Sequence, residues 1–259
     1  MLSTFVTCTP QLSTSSQRPS TTNTLDREQA LQRIGAPCGL SKEQYKANFL
    51  TFIQNLPTGD IILYSDGSKL PDGQAGAGFV GYQGGQQVLQ QSIPLGKQKE
   101  VYDAEVLDAL AGLRASLQLP STKFASGLWI CLDNLEVATQ LLSHPIGSSQ
   151  IHFQEFAELA LTWQQRVRLP HILPGKVHIR WVPSHIGIPG NEAADAAAKA
   201  GAALTLEEEV PYSLASLNRW ARSFAPAAIE QLWLIVAPHT YCLLGITFSL
   251  LPPKELSFL

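Results

Sequence analysis

The sequence predicts an α/β domain in which helices cover a mixed β-sheet. Three short strand-like segments follow one another early in the chain, with glycine-containing turns between them. Helical and strand-like segments then alternate up to about residue 203. Strands joined by hairpins are antiparallel, whereas a strand that follows a helical crossover is usually parallel to the strand before it. The order of segments therefore predicts a sheet that contains both kinds of pairing.

The composition is that of a folded protein with a sizeable core. Of the 259 residues, 45% are apolar and only 15% are charged, which excludes a disordered polymer. The net charge of −3, without a basic tail, argues against a protein that holds nucleic acid by electrostatics alone. It leaves open an enzyme whose acidic site meets a phosphate backbone through bound cations.

Cysteine use and hydropathy favour an intracellular protein that does not span a membrane, in a nuclear or a cytoplasmic compartment. The cysteines, which show no CxxC pair and no metal-ligand spacing, are Cys8, Cys38, Cys131 and Cys242. No basic segment leads into an apolar core at the N-terminus, so a secretory signal is not predicted. Residues 232–251 have about the length of a membrane span, but Pro238 and His239 near the centre favour a packed element.

The first 57 residues are predicted to form a flexible leader and two short helices. Residues 1–25 are rich in Ser, Thr and Gln and lack apolar periodicity. Helices are expected at 26–34 and 41–56, with Ser41 as the N-cap of the second helix and Pro57 as its stop signal.

Three strands and a long helix are predicted next. The strands are expected at 61–64, 75–82 and 86–94, and Gly84-Gly85 suits a tight hairpin between the last two. The sequence Ser-Asp-Gly-Ser that follows the first strand is typical of a turn. Apolar residues at helical spacing predict a helix over 100–119.

The second half of the domain alternates strands with helices. Strands are predicted at 127–132 and 177–182. Helices are predicted at 135–142, 150–167 and 191–202, the last after a Pro-Gly turn. An acidic patch at 207–209 and a helix over 213–236 follow. The resulting division is a leader (1–57), a central α/β domain (58–203) and a helical C-terminal extension (204–259).

Four acidic residues occur at junctions between these segments. Asp66 and Asp133 follow strands, Glu105 lies one turn into the long helix, and Asp195 lies in the first turns of the domain's last helix. Strand exits beside helix starts are where α/β folds form their sites. Four carboxylates in one place repel each other unless cations neutralise them. Two Mg²⁺ or Mn²⁺ ions would satisfy this all-oxygen set and flank a scissile phosphate, so the pattern indicates a phosphodiester-cutting site.

Each acid also has a simple structural explanation. Asp66 followed by glycine is a common turn sequence, Asp133 is a possible helix cap, and Glu105 a possible solvated helix residue. The last acid is favoured by the dipole at the start of its helix. Two further acids of the long helix, Asp103 and Asp108, are expected to be solvated. Only the joint arrangement of the four favours the metal site.

The motifs together resemble those of type 1 ribonuclease H, in the order that this family has. They are Tyr64-Ser-Asp-Gly-Ser68, Asp103-Ala-Glu105, Cys131-Leu-Asp-Asn134 and the segment 181–199, which contains Ser-His-Ile-Gly-Ile-Pro-Gly-Asn-Glu-Ala-Ala-Asp. The resemblance covers about residues 58–203. It implies a ribonuclease H-like fold with a five-stranded mixed sheet of order 3-2-1-4-5, in which strands 1–3 are antiparallel. It also implies hydrolysis of the RNA strand of RNA–DNA hybrids.

The resemblance assigns roles to individual residues. Asp66, Glu105, Asp133 and Asp195 would bind two Mg²⁺ ions, with Mn²⁺ as a possible substitute. His185 would shuttle protons or help product release, since imidazole titrates near neutrality. The residues expected to contact the substrate backbone or to brace the histidine loop are Ser68, Asn134 and Asn191. Taken alone, His185 is better explained as a loop histidine with a backbone contact, and its position in the motif reverses this preference.

The flanking segments resemble, more loosely, the region after ribonuclease H in LINE-type retrotransposon polyproteins, particularly fungal ones. This resemblance rests on residues 213–222 and 237–246. It implies a fragment of a polyprotein whose reverse transcriptase is a partner. Two alternatives stay open: another nuclease of the wider ribonuclease H-like superfamily, and a catalytically silent relic that only binds nucleic acid.

One departure from the family concerns substrate binding. Many cellular members carry a basic helix and loop where this chain has only residues 144–149, without lysine or arginine. The hybrid would then be bound by a partner polymerase or by the basic segments 97–99 and 166–168. The sequence therefore predicts weak hybrid binding that falls steeply as salt rises.

Overall fold

The computed structural model describes residues 24–36, 39–143, 147–206 and 210–237, with side chains from residue 27 onward. The expectations about the leader before residue 24, the acidic patch 207–209 and the segment after residue 237 lie outside this part of the chain. So do three of the four cysteines, since only Cys131 falls within it; that thiol is buried and free.

Five strands form one sheet in the order β3-β2-β1-β4-β5. They are β1 (Ile61–Lys69), β2 (Ala75–Gln83), β3 (Gln86–Gly96), β4 (Leu128–Leu132) and β5 (Val177–Trp181). The first three are antiparallel, whereas β4 pairs in parallel with both β1 and β5. The mixed sheet and the strand order are therefore confirmed.

Seven α-helices are described, together with short 3₁₀ helices at Pro120–Phe124 and Trp163–Gln165. The α-helices are α1 (Thr24–Arg33), α2 (Lys42–Gln54), α3 (Val101–Gln118), α4 (Leu135–Gln140), α5 (Gln150–Thr162), α6 (Pro189–Ala203) and α7 (Leu214–Val236). Ser41 caps α2 with a complete capping box, as its position predicts. None of the described helices combines the length and the hydropathy that a membrane crossing requires.

The first strand is longer than its sequence indicates. The predicted turn over 65–68 is wrong, because β1 continues to Lys69 and Asp66 pairs with Gly78 of β2. The parallel pairing of β1 with β4 nevertheless ends earlier, at Ser65 and Leu132. Asp66 is thus the first residue at which β1 is covered by a strand on one side only. The hairpin partner, which local turn propensity does not reveal, keeps these small polar residues extended.

The helices cover both faces of the sheet. On one face, α3 and α5 bury the larger part of the core, including Phe79, Ile130, Phe153 and Phe156. On the other face, α2 contributes Phe49 to a second apolar cluster, which contains residues of β1 and α6. Burial on both faces explains why the start of β1 and the whole of β4 are continuous apolar runs rather than alternating patterns.

The outer strand β5 is covered by the link between α1 and α2. The carbonyl oxygen of Ile34 accepts a hydrogen bond from the amide of Trp181 at 2.9 Å. The Tyr45 hydroxyl on α2 donates to the Gly35 carbonyl at 2.7 Å. These contacts satisfy polar groups at the sheet edge and attach α1 and α2 to the central domain.

The expectation that Asp103 and Asp108 are solvated is wrong. They are 1% and 0% exposed. Hydroxyl groups of Ser148, Ser149 and Ser213 donate to the Asp103 carboxylate, which also accepts the amide of Glu100. Asp103 therefore joins α3 to the loop before α5 and to the N-cap of α7. Helical periodicity does not reveal this burial, because the donors come from distant parts of the chain.

Candidate active site

Three carboxylates converge beyond the carboxyl end of β4. Asp66 comes from β1, Glu105 from the first turns of α3, and Asp133 follows β4 directly. One oxygen atom from each lies within 4.8 Å of the other two. An added Cβ at Gly67 would lie 2.6 Å from the Glu105 amide nitrogen, so only glycine lets α3 approach β1 this closely. The structure thus brings together three acids that the sequence places 28 or more residues apart from one another.

The fourth acid lies beside this group, on α6. The Asp195 carboxylate lies close enough to the group for its charge to raise the pKa values of both Asp66 and Asp133. It is not part of the closest set of three oxygens. Its Oδ2 accepts a hydrogen bond at 2.7 Å from Lys199, one turn further along the helix. The ammonium group of Lys199 thus partly balances the negative charge of Asp195.

Burial and mutual repulsion disfavour the charged forms of these acids. Burial first, and then the charges of Asp133 and Asp195, raise the pKa of Asp66 to about 7. Burial, followed by the charges of Asp66 and Asp133, raises the pKa of Glu105 well above its usual value. The pKa of Asp133 is raised mainly by burial, although a hydrogen bond from Asn191 opposes the rise. Without a cation, the site therefore holds protons that exposed carboxyl groups would release at neutral pH.

The side chains fit a divalent cation. Oε2 of Glu105 is buried and has no hydrogen-bond partner among the described residues, although a buried carboxylate oxygen is costly to leave unpaired. All the donor atoms are carboxylate oxygens, which suit Mg²⁺ and Mn²⁺ better than Zn²⁺. Asp66, Glu105, Asp133 and Asp195 are therefore the residues that would hold such ions.

The histidine loop lies next to Asp133. His185 has a φ of 55°, a left-handed conformation that few non-glycine residues adopt, and Gly187 follows with a φ of 69°. The charge of His185 lowers the pKa of Asp133, so the histidine acts electrostatically on this acid. Strained backbone at such a position is common at functional sites.

The three predicted substrate-contacting residues lie around the acids. Ser68 is half-buried on β1, two residues after Asp66. Asn134 caps α4: its Oδ1 accepts a hydrogen bond from the Val137 amide at 3.1 Å. The NH₂ group of Asn134 takes no part in this capping bond. Asn191 is buried, and its side chain lowers the pKa of Asp133. The side chain that binds the histidine loop is that of Glu192 rather than that of Asn191. Its Oε1 accepts a hydrogen bond from the Gly187 amide at 3.3 Å.

In each of the two basic segments proposed to bind the substrate, one cation is held by the fold. The guanidinium of Arg166 donates to backbone carbonyls, including those of Ser126 and Trp163. Ser126 precedes β4, so Arg166 lies at the end of that strand opposite Asp133. Lys99 is 7% exposed, and burial lowers its pKa. Neither side chain offers a free charge beside the carboxylates.

One residue of this region was missed by sequence reasoning. The buried Asp108 accepts a hydrogen bond at 3.0 Å from the backbone amide of Asp66. A signal for it exists in the sequence, since Asp108 lies one turn after Glu105, among the apolar residues Val106 and Ala109. An acid within an apolar helix face is more informative than an acid on a polar face.

Several solved structures are similar to part of this chain. One is RNase H1 from the halophilic archaeon Halobacterium salinarum, with 22% identity and a TM-score of 0.40 over 55% of this chain and 96% of that one. Another is the protease–reverse transcriptase of prototype foamy virus, with 22% identity and a TM-score of 0.42 over 56% of this chain and 21% of that one. A third is LC11-RNase H1 in complex with an RNA/DNA hybrid, with 19% identity and a TM-score of 0.40 over 54% and 97% of the two chains.

These structural likenesses are distant, and no curated protein matches the chain. The family assignment rests instead on the sequence. The model of the RNase H family matches residues 58–203, which is more than half of the chain and contains all four acids and the histidine loop. The chain therefore belongs to the RNase H family.

Proposed function

We propose that the protein is an endonuclease that hydrolyses the RNA strand of RNA–DNA hybrids in a reaction that requires two Mg²⁺ ions, for which Mn²⁺ can substitute. The observation that carries this proposal is the group of three carboxylate oxygens within 4.8 Å, which come from Asp66, Glu105 and Asp133. Family membership supports the choice of substrate, and so does the order of the motifs along the chain.

The four acids would hold the ions, which when bound supply Lewis-acid activation of water and neutralise charge at the scissile phosphate. Because burial raises the pKa of Asp66 and Glu105, cation binding displaces protons from these groups. His185, whose charge acts on Asp133, would move a proton at the phosphate or assist product release. Ser68 and the NH₂ group of Asn134 are the donors proposed to contact the substrate backbone.

The choice of strand follows from the chemistry of RNA. Only the RNA strand of a hybrid carries 2′-hydroxyl groups, and hybrids differ from double-stranded DNA in the width of the minor groove. Contacts to these features would confine cleavage to RNA. We also propose that the chain derives from a LINE-type retrotransposon polyprotein, with a reverse transcriptase as partner; the resemblance of residues 213–222 and 237–246 supports this origin.

The test is cleavage of a labelled RNA strand paired with DNA, in Mg²⁺ or in EDTA. We expect cutting in Mg²⁺ only, and a loss of at least about 100-fold in Asp133→Asn, because one carboxylate ligand is removed. Asp72→Asn is the matched control, since Asp72 is exposed in the loop after β1 and its Oδ1 accepts the Gln74 amide, a bond that asparagine keeps.

Two outcomes would contradict the proposal. Folded protein that cuts nothing, even in Mn²⁺, would support the alternative of a catalytically silent relic that only binds nucleic acid. Equal cutting of hybrid and double-stranded DNA would instead indicate another nuclease of the wider superfamily.

A further inference from the structure

Asp108 forms a second link between α3 and the strand that carries Asp66. Its Oδ2 lies 3.0 Å from the Asp66 amide nitrogen, and its side chain is fully buried. The parallel pairing of β1 with β4 ends one residue earlier, at Ser65 and Leu132. Asp108 therefore meets the backbone of β1 just where the neighbouring strand no longer covers it.

The same helix thus performs two tasks at the carboxylate site. Glu105 presents a carboxylate toward Asp66, and Asp108, one turn later, fixes the backbone from which the Asp66 side chain projects. Oδ1 of Asp108 is buried without a hydrogen-bond partner among the described residues. A buried carboxyl group with an unpaired oxygen atom destabilises the fold. Its presence at this position therefore argues for a role that an apolar residue would not fulfil.

We propose that Asp108 is a positioning residue, which holds Asp66 at the distance from Glu105 and Asp133 that binding of a divalent cation requires. This inference rests on the proposed function, since it concerns the same four acids. Asp108 acts through its hydrogen bond to the Asp66 amide and not as a ligand. Outer residues that orient metal ligands commonly change metal affinity by about 10- to 100-fold when they are replaced.

The same helix offers a matched control in Asp103. It is also buried and also accepts a backbone amide, that of Glu100, at 3.0 Å. Its other partners are serine hydroxyl groups of the loop before α5 and of the α7 N-cap. Loss of Asp103 should therefore lower stability without disturbing the backbone of Asp66.

The experiment compares Asp108→Ala, Asp108→Leu, Asp108→Asn and Asp103→Ala by two measurements without substrate. The first is the hydrogen-exchange rate of the Asp66 amide by NMR. The second is Mn²⁺ affinity by calorimetry. We expect exchange at least 10-fold faster and Mn²⁺ affinity about 10-fold weaker or worse in the Ala and Leu variants. Asparagine keeps an acceptor oxygen, so Asp108→Asn should stay within about threefold of wild type in both.

The variants separate a positioning role from a purely structural role and from an effect of charge. Wild-type Mn²⁺ affinity in folded Asp108→Leu would overturn the proposal and leave Asp108 a structural role alone. Equal loss in Asp108→Asn and Asp108→Leu would also overturn it, because charge rather than the hydrogen bond would then matter. If Asp108→Ala fails to fold, the leucine variant carries the comparison, since it refills the space with an apolar side chain.

Failure of the proposed function is distinguishable from failure of this inference. Wild-type protein that binds no Mn²⁺ would contradict the metal site itself. An unprotected Asp66 amide in wild-type protein would overturn the assignment of Asp108, whatever the metal affinity. Asp103→Ala with Mn²⁺ affinity as weak as that of Asp108→Ala would overturn it as well, because general loosening of α3 would then explain both variants.

Discussion

At the scale of single residues, the site combines acids whose charges the protein itself does not balance. Asp66 and Glu105 are 8% and 4% exposed, and the described cation in contact with the group, Lys199, pairs with Asp195. Buried carboxylates without a partner are destabilising in their charged form. The acids are thus arranged for a ligand and reduce the stability of the fold when it is absent, a trade-off found at many functional sites.

This imbalance predicts a pH dependence of stability in EDTA. The pKa of Asp66 is raised to about 7, so between its usual value of 3.8 and that value the folded protein binds more protons than the unfolded chain. The stabilisation from this group is complete at low pH and is lost as pH rises through about 7. We expect the free energy of unfolding to fall by roughly 1 kcal/mol per pH unit from this group, as measured by chemical denaturation.

The control for this prediction is Asp66→Asn, which cannot ionise at this position. The variant should gain stability relative to wild type as pH rises from 5 to 8 in EDTA. Saturating Mg²⁺ should raise the melting temperature of wild type more than that of the variant, because only the wild-type site is complete. A constant difference between the two proteins across this pH range would contradict the burial of a charged group.

At the scale of elements, the position of α6 depends on glycines in β2. An added Cβ at Gly76 or Gly78 would lie 2.0 or 2.1 Å from the amide nitrogen of Ala202 or Ala198, respectively. The alanine-rich helix therefore lies directly on the backbone of the strand. Because Asp195 belongs to the same helix, this close approach also sets the distance between the fourth acid and the rest of the site.

Gly78→Ala should consequently lower both stability and activity. The added methyl group would meet helix backbone, which cannot rotate away, so we expect a loss of about 3 kcal/mol or more by chemical denaturation. Gly81→Ala on the same strand is the control, since its Cβ would lie 3.0 Å from the side-chain Cβ of Leu89 and would require a smaller adjustment. Equal losses in the two variants would show that strand propensity, and not the helix contact, determines the cost.

At the scale of the whole molecule, the charge distribution limits the affinity of the protein for nucleic acid. The net charge is −3, Arg166 is bonded to backbone carbonyls at the far end of β4, and Lys99 is buried. These two side chains therefore contribute little to contacts with a polyanion at the carboxylate site.

We expect the isolated protein to bind an RNA–DNA hybrid with micromolar rather than nanomolar affinity at physiological salt. The physical reason is that residues 144–149 carry no lysine or arginine where many cellular members have a basic helix and loop, so the remaining contacts are mainly electrostatic and affinity should fall steeply as salt rises. Fluorescence anisotropy of a labelled hybrid in Ca²⁺, at several salt concentrations, measures both quantities. Nanomolar binding at physiological salt would contradict the prediction and would point to a binding surface outside the residues discussed above.

The order of helices and strands follows from local signals in the sequence. Apolar periodicity located α3 and the strands, and Ser41 marked the start of α2. The acids could be grouped because they recur at segment junctions. The exception is the end of β1, where Ser-Asp-Gly-Ser has the composition of a turn but is held extended by its pairing with β2. Local propensity yields to strand pairing when the partner is in place.

The sequence by itself therefore determined the elements, the family motifs and the identity of the four acids, because these are encoded in short-range patterns. The tertiary structure alone decided which other acids are buried and what they do. Asp103 meets a hydroxyl group 110 residues away, and Asp108 meets the amide of Asp66, 42 residues before it. The energy of a buried carboxyl group depends on such partners, which the fold assembles from segments that are far apart in the chain.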